Sequence, residues 1–283
     1  MKRLFLTTFF FTITIVSVYA QQNLEKSILW EIQGNELKSP SYLLGTVHMV
    51  CTGDVQVADK VLRAIDEVEQ IALEVNLVDV NELMSIQELI VSPAALSSQL
   101  TDAEREEFSA LLKSKYALDM KVVDHYPPII LMGLLAAKEV SCETTGYDIE
   151  ILNLGLSKNK YFLGLERFKD QVELTNQCYT AKDILTQVRE KEQAAEEFVT
   201  LVKAFNQEDI EALYELTIES GFLTEEMRVA LLDNRNHAWV EKMRDLMPKA
   251  PTLFAVGAGH LAGEHGVIQL LRNQGFTITA VLK

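Results

Sequence analysis

Two short motifs of one form, Gly45-Thr46-Val47-His48 and Gly257-Ala258-Gly259-His260, lie near opposite ends of a 283-residue chain, and each closes an apolar run. Imidazole binds metals, moves protons and holds substrates near neutral pH, so a matched pair points to one site assembled from both halves. A third member is Glu74, which ends the run Gln70-Ile71-Ala72-Leu73. Two imidazoles and one carboxylate form a facial set that holds a divalent ion and leaves positions open for water. The plainer reading gives each residue an ordinary hydrogen bond at a sheet edge. The repeated sequence of apolar run, turn and histidine favours the shared site.

For the set to converge, the runs must be neighbouring strands. Tyr42-Leu43-Leu44 leads into the first motif and Leu253-Phe254-Ala255-Val256 into the second, with a glycine where the chain must turn without a Cβ clash. In open α/β sheets, ligands collect at the C-terminal ends of strands. Ser27 to Ile32 and Ser41 to Gly45 read as a hairpin, and further strands are expected at Gln70 to Val75, Tyr161 to Leu165, Thr252 to Val256 and Phe276 to Leu282. Thr101 with Glu104 forms a capping box, Thr224 with Glu225 and Glu226 opens another helix, and Ile129 to Ala137 reads as a buried helix. Ala181 to Asn206 and Glu208 to Glu219 are also expected to be helical. The fold class is therefore α/β, a central mixed sheet carrying both motifs at strand ends. A helix-rich middle, about 79–245, is inserted in a single domain spanning 21–283.

The N-terminus has the form of a secretory leader over residues 1–20. Lys2 and Arg3 precede an uncharged run from Leu4 to Val18, and Val18-Tyr19-Ala20 is an A-x-A-like cleavage site. The alternative, an uncleaved anchor, needs roughly 18 or more apolar residues, slightly more than this run supplies. The expectation is a secreted or periplasmic protein with no stable membrane insertion after cleavage near Ala20. With 41 acidic against 26 basic residues the net charge is −15, and losing Lys2 and Arg3 deepens the excess. Nucleic acid and anionic membranes are thereby disfavoured as partners. Cys51, Cys142 and Cys178 allow one bridge and one thiol in an oxidising compartment. Cys142 with Cys178 is the preferred pair, because Cys51 lies three residues after His48. A Cys–His nucleophile pair is the less favoured use of Cys51, since such pairs are defined in space.

An ordered set of motifs fills the chain from about 27 to 283: Leu44-Gly45-Thr46-Val47-His48, Leu73-Glu74, Gly146-Tyr147-Asp148, Gly164-Leu165-Glu166 with Gln171, Arg235-Asn236, and Val256-Gly257-Ala258-Gly259-His260-Leu261 with Gly263 and Gly266. This set resembles the TraB/GumN family, which also includes the Tiki metalloproteases. One departure is Leu154-Gly155, where the family has an Ala-rich helical segment after the Asp. The resemblance implies a fold related to erythromycin esterase and the ChaN haem-binding proteins, with the motifs meeting at one cleft. It implies His48, Glu74 and His260 as metal ligands, and peptide hydrolysis with a divalent ion of the manganese or cobalt type, or zinc.

Glu166, Arg235 and Asp148 complete the catalytic set. On a helix from Thr224 to Leu246, Arg235 falls among Leu231, Leu232, Ala238, Trp239 and Leu246, with Arg228 and Lys242 on the same arc. A guanidinium there needs a carboxylate partner, and Glu166, Asp148 or Glu74 would serve. It is either functional or part of a structural ion pair. Glu166 and Asp148 would orient a ligand, activate water or neutralise Arg235. Gln171 reads as a hydrogen-bonding support. His265 could reach the site from the next helix start or lie on the surface, and His125 and His237 carry no supporting pattern. The leading expectation is an exported metal-dependent hydrolase acting on a peptide or small molecule. The alternative is a non-catalytic exported binding protein for haem, a peptide signal or a partner protein.

Overall fold

Long apolar runs such as Ile71-Ala72-Leu73 and Leu253-Phe254-Ala255-Val256 suit strands buried on both faces, as in parallel sheets covered by helices. The computed structural model describes residues 24–190, 194–219 and 223–283, so the expected leader at 1–20 lies outside it. Among the described residues the strands are β1 (Leu29–Gln33), β2 (Ser41–Thr46), β3 (Val50–Cys51), β4 (Gln70–Val75), β5 (Thr144–Thr145), β6 (Tyr161–Glu166), β7 (Thr252–Gly257) and β8 (Thr277–Ala280). Six of them form one mixed sheet in the order β6-β4-β7-β2-β1-β8. β6, β4, β7 and β2 are parallel, while β1 runs antiparallel to both β2 and β8. The expected hairpin is β1–β2, pairing Leu29 with Leu44 and Ile32 with Ser41.

Burial follows this division. In β4 and β7 every central residue is buried, whereas β8 at the antiparallel edge alternates between covered and open positions. Parallel strands all point one way, so the C-terminal ends of β6, β4, β7 and β2 share one edge. That edge carries Glu166, Glu74, the turn to His260 and the turn to His48, in that spatial order.

The helix-rich middle builds a second core, apart from the one on the sheet. Phe108, Leu112, Val123, Leu131, Ala181, Ile184 and Leu185 bury one another there. β5 and β6 lie within the stretch 79–245, so helices flank a sheet strand on both sides. The capping box forms as expected: Thr101 Oγ1 accepts from the Glu104 N–H at 3.3 Å, and Glu104 accepts from the Thr101 N–H at 2.9 Å. Helices occupy Ala181–Glu190, Ala194–Asn206 and Ile210–Ile218. Gly155, at the departure from the family pattern, sits where a Cβ would press within 2.6 Å of Ile71 and Phe162. Only a bare backbone lets that helix lie so close to the sheet.

The disulfide differs from the expected pair. Cys51 bonds Cys142, and Cys178 is the free thiol. The reason is the short ladder β3–β5, which sets Val50 opposite Thr145 and Cys51 opposite Thr144, bringing the two chain segments side by side. Proximity to His48 does not keep Cys51 reduced; it makes the bridge a staple beside the site.

Candidate functional site

Glu74 is buried at the end of β4 and is the point where the two histidine turns meet. Its Oε1 accepts from the Gly257 N–H at 2.8 Å and lies 3.8 Å from His48 Nε2. A Cβ on Gly257 would lie 3.3 Å from Glu74 Oε1, 3.5 Å from His260 Cδ2 and 3.8 Å from His48 Nε2. The two motifs also touch at Gly45, where a Cβ would come within 3.1 Å of Ala258 Cβ. Neither glycine has a positive φ; among the described glycines only Gly34, Gly263 and Gly275 do. The motif glycines therefore serve close approach rather than an unusual turn.

Arg235 is the electrostatic centre. Its Nη2 donates to Glu74 Oε2 at 2.7 Å and to Glu166 Oε1 at 2.6 Å, its Nε donates to Glu166 at 3.2 Å, and its Nη1 donates to the Leu231 carbonyl at 2.9 Å. Nη1 also lies 3.2 Å from His260 Nε2. The guanidinium stacks on Trp239, 4.6 Å from the ring centre, and that indole donates to Glu166 Oε2 at 3.3 Å. Gln171 donates to Glu166 at 2.7 Å and to Glu74 at 3.1 Å, the supporting role its position suggested. Burial works to raise the Glu74 carboxyl, but the charge of Arg235, then His48 and His260, with the Gly257 N–H, outweighs it and holds the group at about 2.

The histidines have opposite environments. His260 is buried, and burial together with the Arg235 charge pushes it down to about 3. Its Nδ1–H donates to Asn236 Oδ1 at 2.6 Å, while the Asn236 amide nitrogen donates to the His265 carbonyl at 2.9 Å. That leaves the Nε2 lone pair facing Arg235. His48 is 65% exposed at its side chain and pairs through Nδ1 with Asp148 Oδ2 at 3.4 Å. The Asp148 bond raises it to about 9; desolvation opposes, and the Glu74 charge adds to the rise.

His48, Glu74, Gln171 and Arg235 line a cavity of about 120 Å³ whose apolar wall is Ile129, Leu174 and Leu231. A cavity of about 140 Å³ between Tyr116, Leu135 and Val188 lies in the helical core and touches none of these groups. Among the described residues no group of three or more His, Cys, Asp or Glu side chains has the spacing to hold an ion in this arrangement. The donor types do suit one: the Glu74 carboxylate, His48 Nε2 and the edge of the His260 ring converge on the space beside Gly257, with His260 Nε2 turned to Arg235. In this arrangement the Arg235 N–H engages His260 Nε2. The buried atoms without a hydrogen-bond partner among the described residues, Thr46 Oγ1, Tyr147 Oη and Asp148 Oδ1, also lie in the two segments that carry His48 and its partner.

All six expected site residues are connected. Glu166, Glu74, Arg235 and His260 form one network, and His48 joins it at Glu74 and brings Asp148. Of the carboxylates weighed for Arg235, Glu74 and Glu166 are its partners and Asp148 serves His48. Arg228 pairs with Glu225 and Asp233, and Lys242 donates to the Leu165 carbonyl. His125, His237 and His265 are exposed, and His237 and His265 face one another, ring centres 5.9 Å apart. Two contributors escaped the sequence reading of roles, Asn236 and Trp239. Their spacing from Arg235, one and four residues along the same helix, is the available signal, since it places all three on adjoining faces.

A sequence model described as the TraB/PrgY/gumN family matches residues 28–280. No curated protein and no solved structure matches the chain.

Proposed function

Because the chain belongs to the TraB/PrgY/gumN family, we propose that it is an exported metal-dependent hydrolase, with peptides as the leading substrate class. The observation that carries this reading is the convergence of His48 Nε2, Glu74 Oε1 and the His260 ring beside Gly257. His48, Glu74 and His260 would hold a divalent ion of the manganese or cobalt type, or zinc. When bound, such an ion polarises a carbonyl and lowers the pKa of water towards about 7. The chain's own contributions are positional and electrostatic. Asp148 orients His48 through Nδ1 and leaves Nε2 turned to Glu74, and Asn236 holds His260 through Nδ1 and leaves its Nε2 turned to Arg235. Glu166 already accepts from Arg235, Gln171 and Trp239, which suits it to holding the cation rather than to taking a proton from water. Ile129, Leu174 and Leu231 keep one wall of the cleft apolar and so strengthen the charges across it. The Cys51–Cys142 bridge supports export, since such bonds persist in oxidising compartments.

The test is hydrolysis of a fluorogenic peptide panel before and after exhaustive chelation. Loss on chelation and return with Mn2+ or Co2+ is expected; full activity in metal-free protein contradicts the reading. The engagement of His260 Nε2 by Arg235 favours one rival, an exported protein that binds haem, a peptide signal or a partner without turnover. A peptide or haem bound tightly and recovered unchanged would support that rival.

A further inference from the structure

A guanidinium has five N–H groups, and each of those of Arg235 has an acceptor: Glu166 for Nε, Glu74 and Glu166 for Nη2, Leu231 O and His260 Nε2 for Nη1. Four of the five point at oxygen, two of them at carboxylates within 2.7 Å. The fifth points at a neutral ring nitrogen at 3.2 Å, the only imidazole lone pair that the buried half of the site presents. Arginine stays protonated throughout the ordinary pH range, so it cannot yield its place by losing a proton. A divalent ion on Glu74 and His260 would lie next to a fixed positive charge, share the Glu74 carboxylate with it and compete with it for His260 Nε2.

We propose that Arg235 is a guard cation. It holds the donor set together in the absence of an ion by occupying His260 Nε2 and Glu74 Oε2, and it sets how tightly an ion can bind. Ion entry requires the Nη1–H to leave His260, while the contacts to Glu166 keep the side chain anchored. The stacked face of Trp239, whose ring centre is also 4.5 Å from that of His260, allows such a shift because stacking does not depend on one hydrogen-bond direction. This inference rests on the reading that His48, Glu74 and His260 hold an ion. It runs opposite to a supporting role, in which Arg235 would shape the site and its loss would weaken binding.

The experiment is Mn2+ titration of the full mature protein by calorimetry and by Mn2+ electron paramagnetic resonance. The variants are Arg235→Gln, the double Glu166→Gln/Arg235→Gln, and Arg235→Gln/His260→Ala. The double variant removes one charge of each sign, so it holds the local charge constant and leaves one buried carboxylate, Glu74, rather than two without the guanidinium; circular dichroism and thermal melting check folding. Affinity at least about tenfold tighter than wild type is expected in the first two, from freeing His260 Nε2 and the Glu74 carboxylate in both and, in the single variant, also from removing a unit charge beside the ion. The gain should vanish in the His260→Ala background. Equal or weaker binding in both Arg235→Gln and the folded double variant, with wild type still binding, overturns the guard and leaves the metal site standing. No binding by any protein overturns both.

Discussion

His48 leaves β2 with its ring 65% exposed, paired with Asp148 and raised to about 9. His260 leaves β7 in a short 3-10 turn, buried against Trp239 and held neutral down to about 3. The letters of the two motifs suggest equivalence, and the surroundings remove it. The helix Asn234–Leu246 closes over the second turn and supplies Asn236 and Trp239, whereas the first turn passes to the rim and is tied to the segment 142–148 by the β3–β5 ladder, the Cys51–Cys142 bridge, the Tyr147 N–H to the Val47 carbonyl and the His48–Asp148 pair. His260 is thus the fixed acceptor and His48 the charged, accessible partner. Glu74 serves both.

The largest expected effect comes from cutting what the two turns share. Glu74→Ala leaves Arg235 half unpaired in a buried site and should cost roughly 3–5 kcal/mol in urea unfolding; a loss below about 1 kcal/mol would show that the network does not hang on this carboxylate. Next, Cys51→Ser/Cys142→Ser should cost about 2–4 kcal/mol. Its hydrogen exchange should quicken around 46–54 and 142–148 and stay unchanged at 257–261. Equal change in both turns would break the comparison. Replacing the histidines separates them directly: His260→Ala should cost about 2 kcal/mol or more as a buried, bonded ring, while His48→Ala, at an exposed ring, should cost less, with a cost that fades as pH rises through about 9.

The smallest effect is a matter of pH, and its sign differs between the two rings. His48, with its pKa raised from 6.5, contributes stability that is complete below about 6.5 and is lost as pH rises through about 9. His260 is lowered, so its neutral form favours folding above about 6.5 and that advantage falls away as pH drops towards 3. Glu74, lowered from 4.5, adds its own loss as pH falls towards 2. Imidazole proton resonances should show one ring titrating near 9 and one silent until acid unfolding. Two rings titrating together near 6.5 would erase the distinction. Ion binding must displace the His48 proton, so affinity should rise with pH up to about 9.

Much of the frame was legible because burial on both faces writes itself into composition. Gln70 to Val75 reads as a strand and is β4, and Thr101 with Glu104 announces a helix start that local hydrogen bonds alone decide. The site residues were legible by type and motif, including the need of Arg235 for a carboxylate. What sequence does not carry is pairing across the chain. Thr144-Thr145 is too short to signal a strand, so the ladder that selects Cys142 for Cys51 is invisible until the fold closes. The choice of Glu74 and Glu166 over Asp148 follows from strand order, which places β6 and β4 side by side. A π-helical turn at Val229–Asp233 precedes Arg235 and shifts the helix register, so Leu232, Asn236, Trp239, Val240 and Met243 are buried while Ala238 is exposed. Regular helical spacing has no term for that inserted residue.

The central claim is that two unlike histidines and Glu74 serve one ion. It is tested most directly by elemental analysis of the purified protein alongside His48→Ala and His260→Ala, each loaded with Mn2+ and desalted. The account predicts stoichiometric metal in the wild type and loss in both variants, despite their unequal effects on stability. The same metal content in all three would contradict it.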